Sequence, residues 1–501
     1  MVQFMFSCLT IEPDFLLPFA VVLVQFTAVL HILISKHENP SQAAFWLLLI
    51  TLLPGAGVLG YIFFGITRFE YVHNAILNIR SQLNVPYGKK QTFAEMQRSL
   101  QCFLPDSENS RQKHNMMLDR LFPEYPALTG NELEMLQDGS DVYPRMLEDI
   151  RQARQSIRLQ SYIINSDAVG KAFMEALSER AAAGVDVKVL FDGVGSFKSY
   201  FSQYFRKNLH RQHKNFRIKA FSSVNLLAPW RFQMRNHRKL LVVDGRIAYV
   251  GGINISAENE RFKYVPPSRY IHDLHCRITG PAVAQLTLSF LTDYLYTSRN
   301  ERNQSAAVPG DYTLPERTGD AIVRVLPGGP GNLREGTRKL FFAAAALAQK
   351  ELWILTPYFV PGRDYVDALC MAAARGVDVR IVVPARNNHF YVDCAAQNFY
   401  QKLHDAGVTV YEKLGYFSHT KALLVDGEWG FMGSSNCDSR SFYLNFELDM
   451  VFEKSGFVDD IRRQFCCEMA GARKLTAYRL QHIKPFRKLI NSIAALFTPI
   501  L

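Results

Sequence analysis

Two stretches of the chain carry the same reactive side chains at the same spacing. Residues 236–254 read Asn-His-Arg-Lys-Leu-Leu-Val-Val-Asp-Gly-Arg-Ile-Ala-Tyr-Val-Gly-Gly-Ile-Asn. Residues 418–436 read Ser-His-Thr-Lys-Ala-Leu-Leu-Val-Asp-Gly-Glu-Trp-Gly-Phe-Met-Gly-Ser-Ser-Asn. His237, Lys239, Asp244, Gly251 and Asn254 therefore recur as His419, Lys421, Asp426, Gly433 and Asn436, at offsets 0, 2, 7, 14 and 17. An imidazole titrates near neutral pH and serves as nucleophile or general acid. Lysine ammonium and asparagine amide offer several donors, which a phosphoryl group can accept, and the small residues Gly252 and Ser434 allow backbone N–H groups to come close. Two such copies converging on one cleft supply a neutral His to attack phosphorus and a protonated His to release the leaving oxygen. The two lysines neutralise the charge that Mg²⁺ would otherwise hold, so this chemistry calls for no cofactor and no metal.

Each copy reads as an apolar strand, an Asp-Gly turn and a second apolar strand, the pattern of a hairpin. Positions two apart share a strand face, so His237 projects beside Lys239 and His419 beside Lys421. The aspartates belong to the turns, and turn formation accounts for Asp244 and Asp426 at least as well as catalysis does. Further repetition surrounds the hairpins. Residues 181–192 (Ala-Ala-Ala-Gly-Val-Asp-Val-Lys-Val-Leu-Phe-Asp) resemble 372–383 (Ala-Ala-Ala-Arg-Gly-Val-Asp-Val-Arg-Ile-Val-Val), and the segment ending in Tyr162 resembles the one ending in Tyr358. Gly184 and Gly376 sit where a helix ends and a strand begins. The expectation is an α/β fold of two tandem domains forming a pseudo-two-fold pair. We place the first domain at 131–298, a connection at 299–320 and the second domain at 321–470, with a linker region at 69–130.

The 501 residues carry 57 Lys and Arg against 46 Asp and Glu, a net charge of +11. An anionic partner follows, and the 48% hydrophobic content excludes a disordered chain. The eight cysteines show no paired CxxC spacing, which argues for reduced thiols; His272, His275 and Cys276 lack a fourth ligand for a metal. Residues 15–35 and 39–67 contain no charge. A bilayer core of about 30 Å needs about 20 helical residues, so 1–68 reads as an anchor of two transmembrane helices. Arg68, Arg80, Lys89 and Lys90 follow the second span and only Lys36 lies between the two, which puts the large domain on the cytoplasmic side. The tail 471–501 is basic, and its residues Phe486, Leu489, Ile490, Ile493 and Phe497 fall on one helical face. That face suits an anionic lipid surface and packing onto the protein equally.

The two segments resemble the paired HxKx4D motifs of the phospholipase D superfamily, including the following Gly-Gly or Gly-Ser and Asn. With the apolar N-terminus, the tandem repeat and the basic tail, nearly the whole chain is similar to the bacterial cardiolipin synthases of that superfamily. Residues 357–361 (Pro-Tyr-Phe-Val-Pro) and Asn445-Phe446-Glu447 add to the likeness. The resemblance implies a phosphatidyl-enzyme intermediate on His237, with His419 acting as acid and then as base. Lys239, Lys421, Asn254 and Asn436 would bind the phosphoryl oxygens. Glu447, 28 positions after His419, and Asp273, 36 after His237, would each orient the His of their own half. Ile271 stands where these enzymes often carry Trp, which leaves the head-group preference open. The implied reaction transfers a phosphatidyl group between two phosphatidylglycerols at the bacterial inner membrane. The implied partners are anionic phospholipids and the membrane, with no nucleic acid. A phospholipase D or a phosphatidyltransferase using water or another alcohol shares every motif; a nuclease would gain nothing from the membrane spans.

Overall fold

The computed structural model describes residues 13–35, 40–66, 69–83, 98–106, 113–200, 215–221, 233–260, 270–298, 316–330, 335–453 and 455–496. Most of the connection at 299–320, and Phe497, lie outside them. The chain divides into two compact units, one holding residues 1–68 with 225–233, the other nearly all the rest.

In the smaller unit α1 (Pro13–Ser35) contains an 18-residue window, Pro18–Ser35, of mean hydropathy 2.0 that is only 11% buried. The second apolar stretch differs from the single span predicted over 39–67. It forms α2 (Pro40–Leu52), α3 (Pro54–Gly60) and a π-turn, Tyr61–Gly65. Pro54 pushes Leu53 out of the helical region (φ −130°, ψ 75°). The chain then folds back so closely that a Cβ on Gly57 would collide with the Leu49 carbonyl. Among the described residues only α1 is long and apolar enough to cross a membrane. Ile32, Trp46, Ile50, Val58 and Tyr61 make a small core, and the Tyr61 hydroxyl lies 2.7 Å from His31 Nδ1.

The larger unit is built on one fifteen-stranded sheet in which the duplication is visible strand by strand. The first half contributes β1 (Leu128–Gln137), β2 (Ser156–Ser161), β3 (Asp186–Asp192), β4 (Phe216–Phe221), β5 (Leu240–Val243), β6 (Ile247–Gly251) and β8 (Leu274–Thr279), with the two-residue β7 (Ile271–His272) beside them. The second half contributes β9 (Ala321–Gly328), β10 (Glu351–Leu355), β12 (Asp378–Pro384), β13 (Thr409–Lys413), β15 (Ala422–Val425), β16 (Trp429–Gly433) and β18 (Glu447–Glu453). The short β11 (Phe359–Val360), β14 (Phe417–Ser418) and β17 (Cys437–Asp438) lie outside the large sheet, and β19 (Ala472–Lys474) caps its edge. From the centre outward the order is β1-β8-β6-β5-β2-β3-β4 on one side and β9-β18-β16-β15-β10-β12-β13 on the other. β1 and β9 pair antiparallel and join the halves.

In each half three parallel strands, β2-β3-β4 and β10-β12-β13, adjoin the hairpin that carries the repeated motif. Helices α4 (Asp138–Gln152), α5 (Ala168–Ala182) and α6 (Ala282–Thr297) serve the first half. α7 (Gly336–Leu347), α8 (Arg363–Ala374), α9 (Phe390–Asp405), α10 (Gly456–Ala470) and α11 (Pro485–Leu496) serve the second. Every residue of β2 is buried, as a parallel strand covered by helices on both faces requires. Gly184 and Gly376, at φ +95° and +90°, end α5 and α8 in the left-handed conformation that lets the chain turn into the next strand.

Candidate active site

Each motif histidine precedes its hairpin on an extended segment that pairs with the other half. Asn236 bridges Phe446; the His237 N–H donates to the Phe446 carbonyl (2.8 Å) and the Phe446 N–H to the Arg235 carbonyl (2.8 Å). The mirror arrangement pairs β7 with β14, where the Phe417 N–H donates to Tyr270 (3.0 Å) and the His419 N–H to His272 (2.7 Å). This exchange overturns the same-half pairing of histidine and carboxylate. His237 Nδ1 lies 3.0 Å from Glu447 Oε2, and His419 Nδ1 lies 2.7 Å from Asp273 Oδ2. The physical reason is the swapped backbone pairing: Glu447 directly follows Phe446, the partner of Asn236, and Asp273 directly follows His272, the partner of Ser418. Spacing along one half, 28 and 36 positions, carries no trace of that exchange.

The four side chains are at most 12% exposed, and their charges act on one another. Burial lowers the pKa of His237 despite the opposing pull of Glu447. Burial and then Lys421 bring His419 down to about 4. Burial works against ionisation of both carboxylates but is outweighed. His237 holds Glu447 below its ordinary value, and Lys421, followed by His419, does the same for Asp273. Burial pulls Lys239 to about 7 and Lys421 to about 8, against the pull of Glu447 on the first and of Asp273 on the second, and Lys421 lowers Lys239 further. The Lys239 Nζ donates to the His237 carbonyl (2.6 Å); the Lys421 Nζ donates to that of His419 and stands 3.6 Å from Asp273 Oδ2. With Nδ1 facing a carboxylate, each imidazole presents Nε2, which has no partner among the described residues, as its reactive nitrogen.

Other expected contacts fall differently. The Gly252 and Ser434 N–H groups are already spent on strand pairing, donating to Leu274 (2.9 Å) and Leu448 (3.1 Å). They cannot receive a phosphoryl oxygen. Their small size serves the carboxylates instead: a Cβ at Gly252 would run into Asp273, and the Ser434 hydroxyl donates to Glu447 Oε2 (2.5 Å). Asn254 Oδ1 accepts from the Ile163 N–H (3.2 Å), which leaves its Nδ2 as donor, and Asn436 is buried with Oδ1 unpartnered among the described residues. Two aromatic rings were visible in the sequence only as landmarks of the repeat. Tyr162 lies edge-on to His237 with centroids 5.0 Å apart, and Tyr358 meets His419 at 6.2 Å. Between His237 and Lys239, the fully buried Arg238 pairs with Asp293 of α6 (2.7 Å) and donates to the Glu447 carbonyl (2.8 Å). Among the described residues no group of three or more His, Cys, Asp or Glu is placed to hold a metal, and His275 is buried with its Nδ1 3.4 Å from the Ile253 N–H.

Asp244 and Asp426 do not join this cluster. Each lies seven residues from its histidine, about 23 Å along an extended chain. At φ +52° and +54°, each followed by a left-handed glycine, they form the tight turns of the two hairpins. Asp244 accepts the N–H groups of Arg154, Gln155 and Ser156 (2.7–2.8 Å), and Asp426 those of Gln349, Lys350 and Glu351. Of the two roles open to them, the aspartates thus serve as turn formers and stand apart from the histidine cluster. Asp244→Ala is expected to lower stability by about 1–2 kcal/mol, the usual cost of losing a capping carboxylate, while turnover per folded molecule stays within about twofold. Thermal unfolding alongside steady-state rates checks this.

The family described as "Cardiolipin synthase, PLD-like domain" matches residues 146–285 and 342–468, so that one match carries His237, Lys239 and Asp273 and the other His419, Lys421 and Glu447. The chain belongs to this family. The family "Phospholipase_D-nuclease N-terminal" matches residues 23–65, in the apolar unit. A cardiolipin synthase of Alkalihalophilus pseudofirmus is 31% identical, the alignment covering 94% of this chain and 91% of that protein. Cardiolipin synthase 1 of Bacillus anthracis is 30% identical over the same shares. Among solved structures, phosphatidylserine synthase of Haemophilus influenzae Rd KW20 superimposes with a TM-score of 0.59 at 18% identity, covering 78% of this chain and all of that one. That likeness concerns the fold: a mixed α/β architecture with the phospholipase D-like domain repeated, as in the cardiolipin synthase family match.

Proposed function

We propose that the protein joins two phosphatidylglycerols into cardiolipin and glycerol through a phosphohistidine. The observation that carries this reading is the pair of imidazoles, each held at Nδ1 by a buried carboxylate and each with Nε2 unpartnered. His237 Nε2 attacks the phosphorus of the first lipid; the glycerol oxygen leaves with the Nε2 proton of His419. The neutral His419 then removes a proton from the glycerol hydroxyl of the second lipid, and that oxygen attacks the phosphohistidine and frees His237. Glu447 and Asp273 fix the tautomers and stabilise the imidazolium that forms. Lys239, Lys421, Asn254 and Asn436 donate to the phosphoryl oxygens. The His419 pKa of about 4 rises beside a phosphodiester anion, so binding draws in the proton that the first step consumes. Leaving and attacking groups are alike, so the reaction is nearly balanced and reversible.

The lipid substrate agrees with a membrane location. In the anchor, Phe19, Val22, Phe26 and Ile34 of α1 and Leu48, Leu52 and Leu59 of the next two helices are more than half exposed, a surface for hydrocarbon. We read α1 as a crossing, the α2–α3 segment, which folds back to the C-terminal end of α1, as dipping into the same bilayer, and the catalytic unit, which follows Arg68, Arg80, Lys89 and Lys90, as cytoplasmic. The basic tail divides its apolar residues. Ile490 packs with Ala494 and Asn491 against the protein, whereas Phe486, Leu489, Ile493 and Leu496 stay 49–73% exposed on one ridge that suits an anionic bilayer.

Purified protein in phosphatidylglycerol micelles is expected to release cardiolipin and glycerol in equal amounts, read by mass spectrometry. Phosphatidic acid as the main product would make the enzyme a phospholipase D. The lysines predict the pH profile. Their ammonium groups are charged below about pH 7–8 and lost above it, so kcat/KM, which already declines above about pH 4 as free His419 loses its proton, is expected to steepen its fall near pH 7–8 rather than near the ordinary lysine value of about 10.4. At saturating substrate the bound anion retains these protons, and the same limb in kcat moves to higher pH.

A further inference from the structure

Behind His419 lies a second histidine–carboxylate assembly that the reaction above does not use. His272 is buried, its Nδ1 2.8 Å from Asp138 Oδ1 and its Nε2 3.3 Å from Glu468 Oε1 of α10. Asp138 sits at the junction of β1 and α4 in the first half and adopts φ +60°, a conformation that costs a non-glycine residue energy and persists only where its surroundings enforce it. Its side chain also takes the Asp273 N–H (3.1 Å), and its own N–H donates to the Asp273 carbonyl (2.9 Å). The His272 carbonyl accepts the His419 N–H (2.7 Å). One residue thus touches, through backbone or through Asp138, both members of the His419–Asp273 pair while its ring bridges the two halves.

We propose that His272 is a positioning residue, an imidazolium strap between Asp138 and Glu468 that sets the distance and angle at which Asp273 meets His419. Burial opposes its charge, yet Asp138, then Glu468 and Asp273, overcome that cost and raise its pKa above the ordinary value. Lys413 lies 3.5 Å from the far oxygen of Glu468, the Tyr416 hydroxyl donates to Oε1 (3.0 Å), the oxygen that faces His272, and the Tyr270 hydroxyl donates to Asp138. The Gln464 amide nitrogen lies 2.7 Å from Nε2 and donates to Glu468 Oε1 (3.2 Å), so protonation of His272 at Nε2 requires this amide to move aside and leave Glu468 to the ring. A raised pKa means the strap is complete at low pH and is lost as pH rises through that value.

The proposal rests on His419 being the acid and base of the reaction, and the test separates the two. In the full chain in phosphatidylglycerol micelles, His272→Ala is expected to lower kcat tenfold to a hundredfold with KM changed less than about threefold. His272→Arg, which keeps a permanent charge and two donor arms, is expected to recover most of the rate and to lack the part of the wild-type alkaline decline in kcat that precedes the lysine limb. Melting temperatures establish that each variant is folded. If His419→Ala keeps its turnover, the dyad reading fails. If His419→Ala is inactive while folded His272→Ala turns over like wild type, the strap is refuted. It is equally refuted if His272→Arg is no better than His272→Ala, or if the pH profiles of His272→Arg and wild type coincide.

Discussion

His237→Ala and His419→Ala are each expected to reduce turnover by about four to six orders of magnitude, and the double variant to be scarcely worse than either single one. The loss is large because neither histidine has a substitute: among the described residues the other nearby imidazoles, His272 and His275, are turned to Asp138 and to the Ile253 N–H. Non-additivity follows because attack at phosphorus and protonation of the leaving oxygen belong to one event. The two variants should nonetheless differ in what accumulates. Without His237 no lipid becomes bound to the protein. Without His419, a substrate whose leaving group needs no proton, such as a p-nitrophenyl phosphodiester, is still expected to load His237 and then to stall, giving a stoichiometric burst. Rapid quench with radiolabelled lipid distinguishes the two; substantial steady turnover in either variant would dismantle the dyad.

The second large effect belongs to the carboxylates. Glu447→Gln and Asp273→Asn are each expected to cost about 10³–10⁴ in kcat, the size found when an oriented histidine loses its ionised partner. The crossing of the halves dictates which step suffers. Glu447→Gln disables His237, so that formation of the phosphohistidine slows even with a good leaving group. Asp273→Asn disables His419, so that a good leaving group restores the burst. Same-half pairing would give the opposite pattern. Selectively labelled histidine offers a direct view, because only the His237 Nδ1 resonance should respond to Glu447→Gln.

The hairpins, the duplication and the helix–strand junctions at Gly184 and Gly376 were legible in the sequence because they are local: period-two apolar runs, Asp-Gly turns and glycines at left-handed positions. The His-x-Lys pairs were legible because they repeat. The exchange of Glu447 and Asp273 between halves was not, since it depends on Asn236 pairing with Phe446, 210 residues on, and on β7 pairing with β14, 146 residues on. Gly252 and Ser434 matched a phosphate-binding pattern for a related reason. Smallness is visible in a sequence, whereas the neighbour that demands it, here a carboxylate, is visible only in space. The break at Leu53 shows the same limit. Length and hydropathy describe a crossing, while Pro54 and the close contact at Gly57 decide how the backbone runs.

The antiparallel ladder between β1 and β9 also constrains how substrates come and go. An enzyme whose reactive groups come from two lobes commonly admits its substrate by swinging the lobes apart. Here the lobes are welded by main-chain hydrogen bonds in mid-sheet, and opening them would mean tearing a β-sheet in every catalytic cycle. Entry that leaves this ladder intact therefore falls to side chains beside the histidines, such as the half-buried Tyr162 and Tyr358.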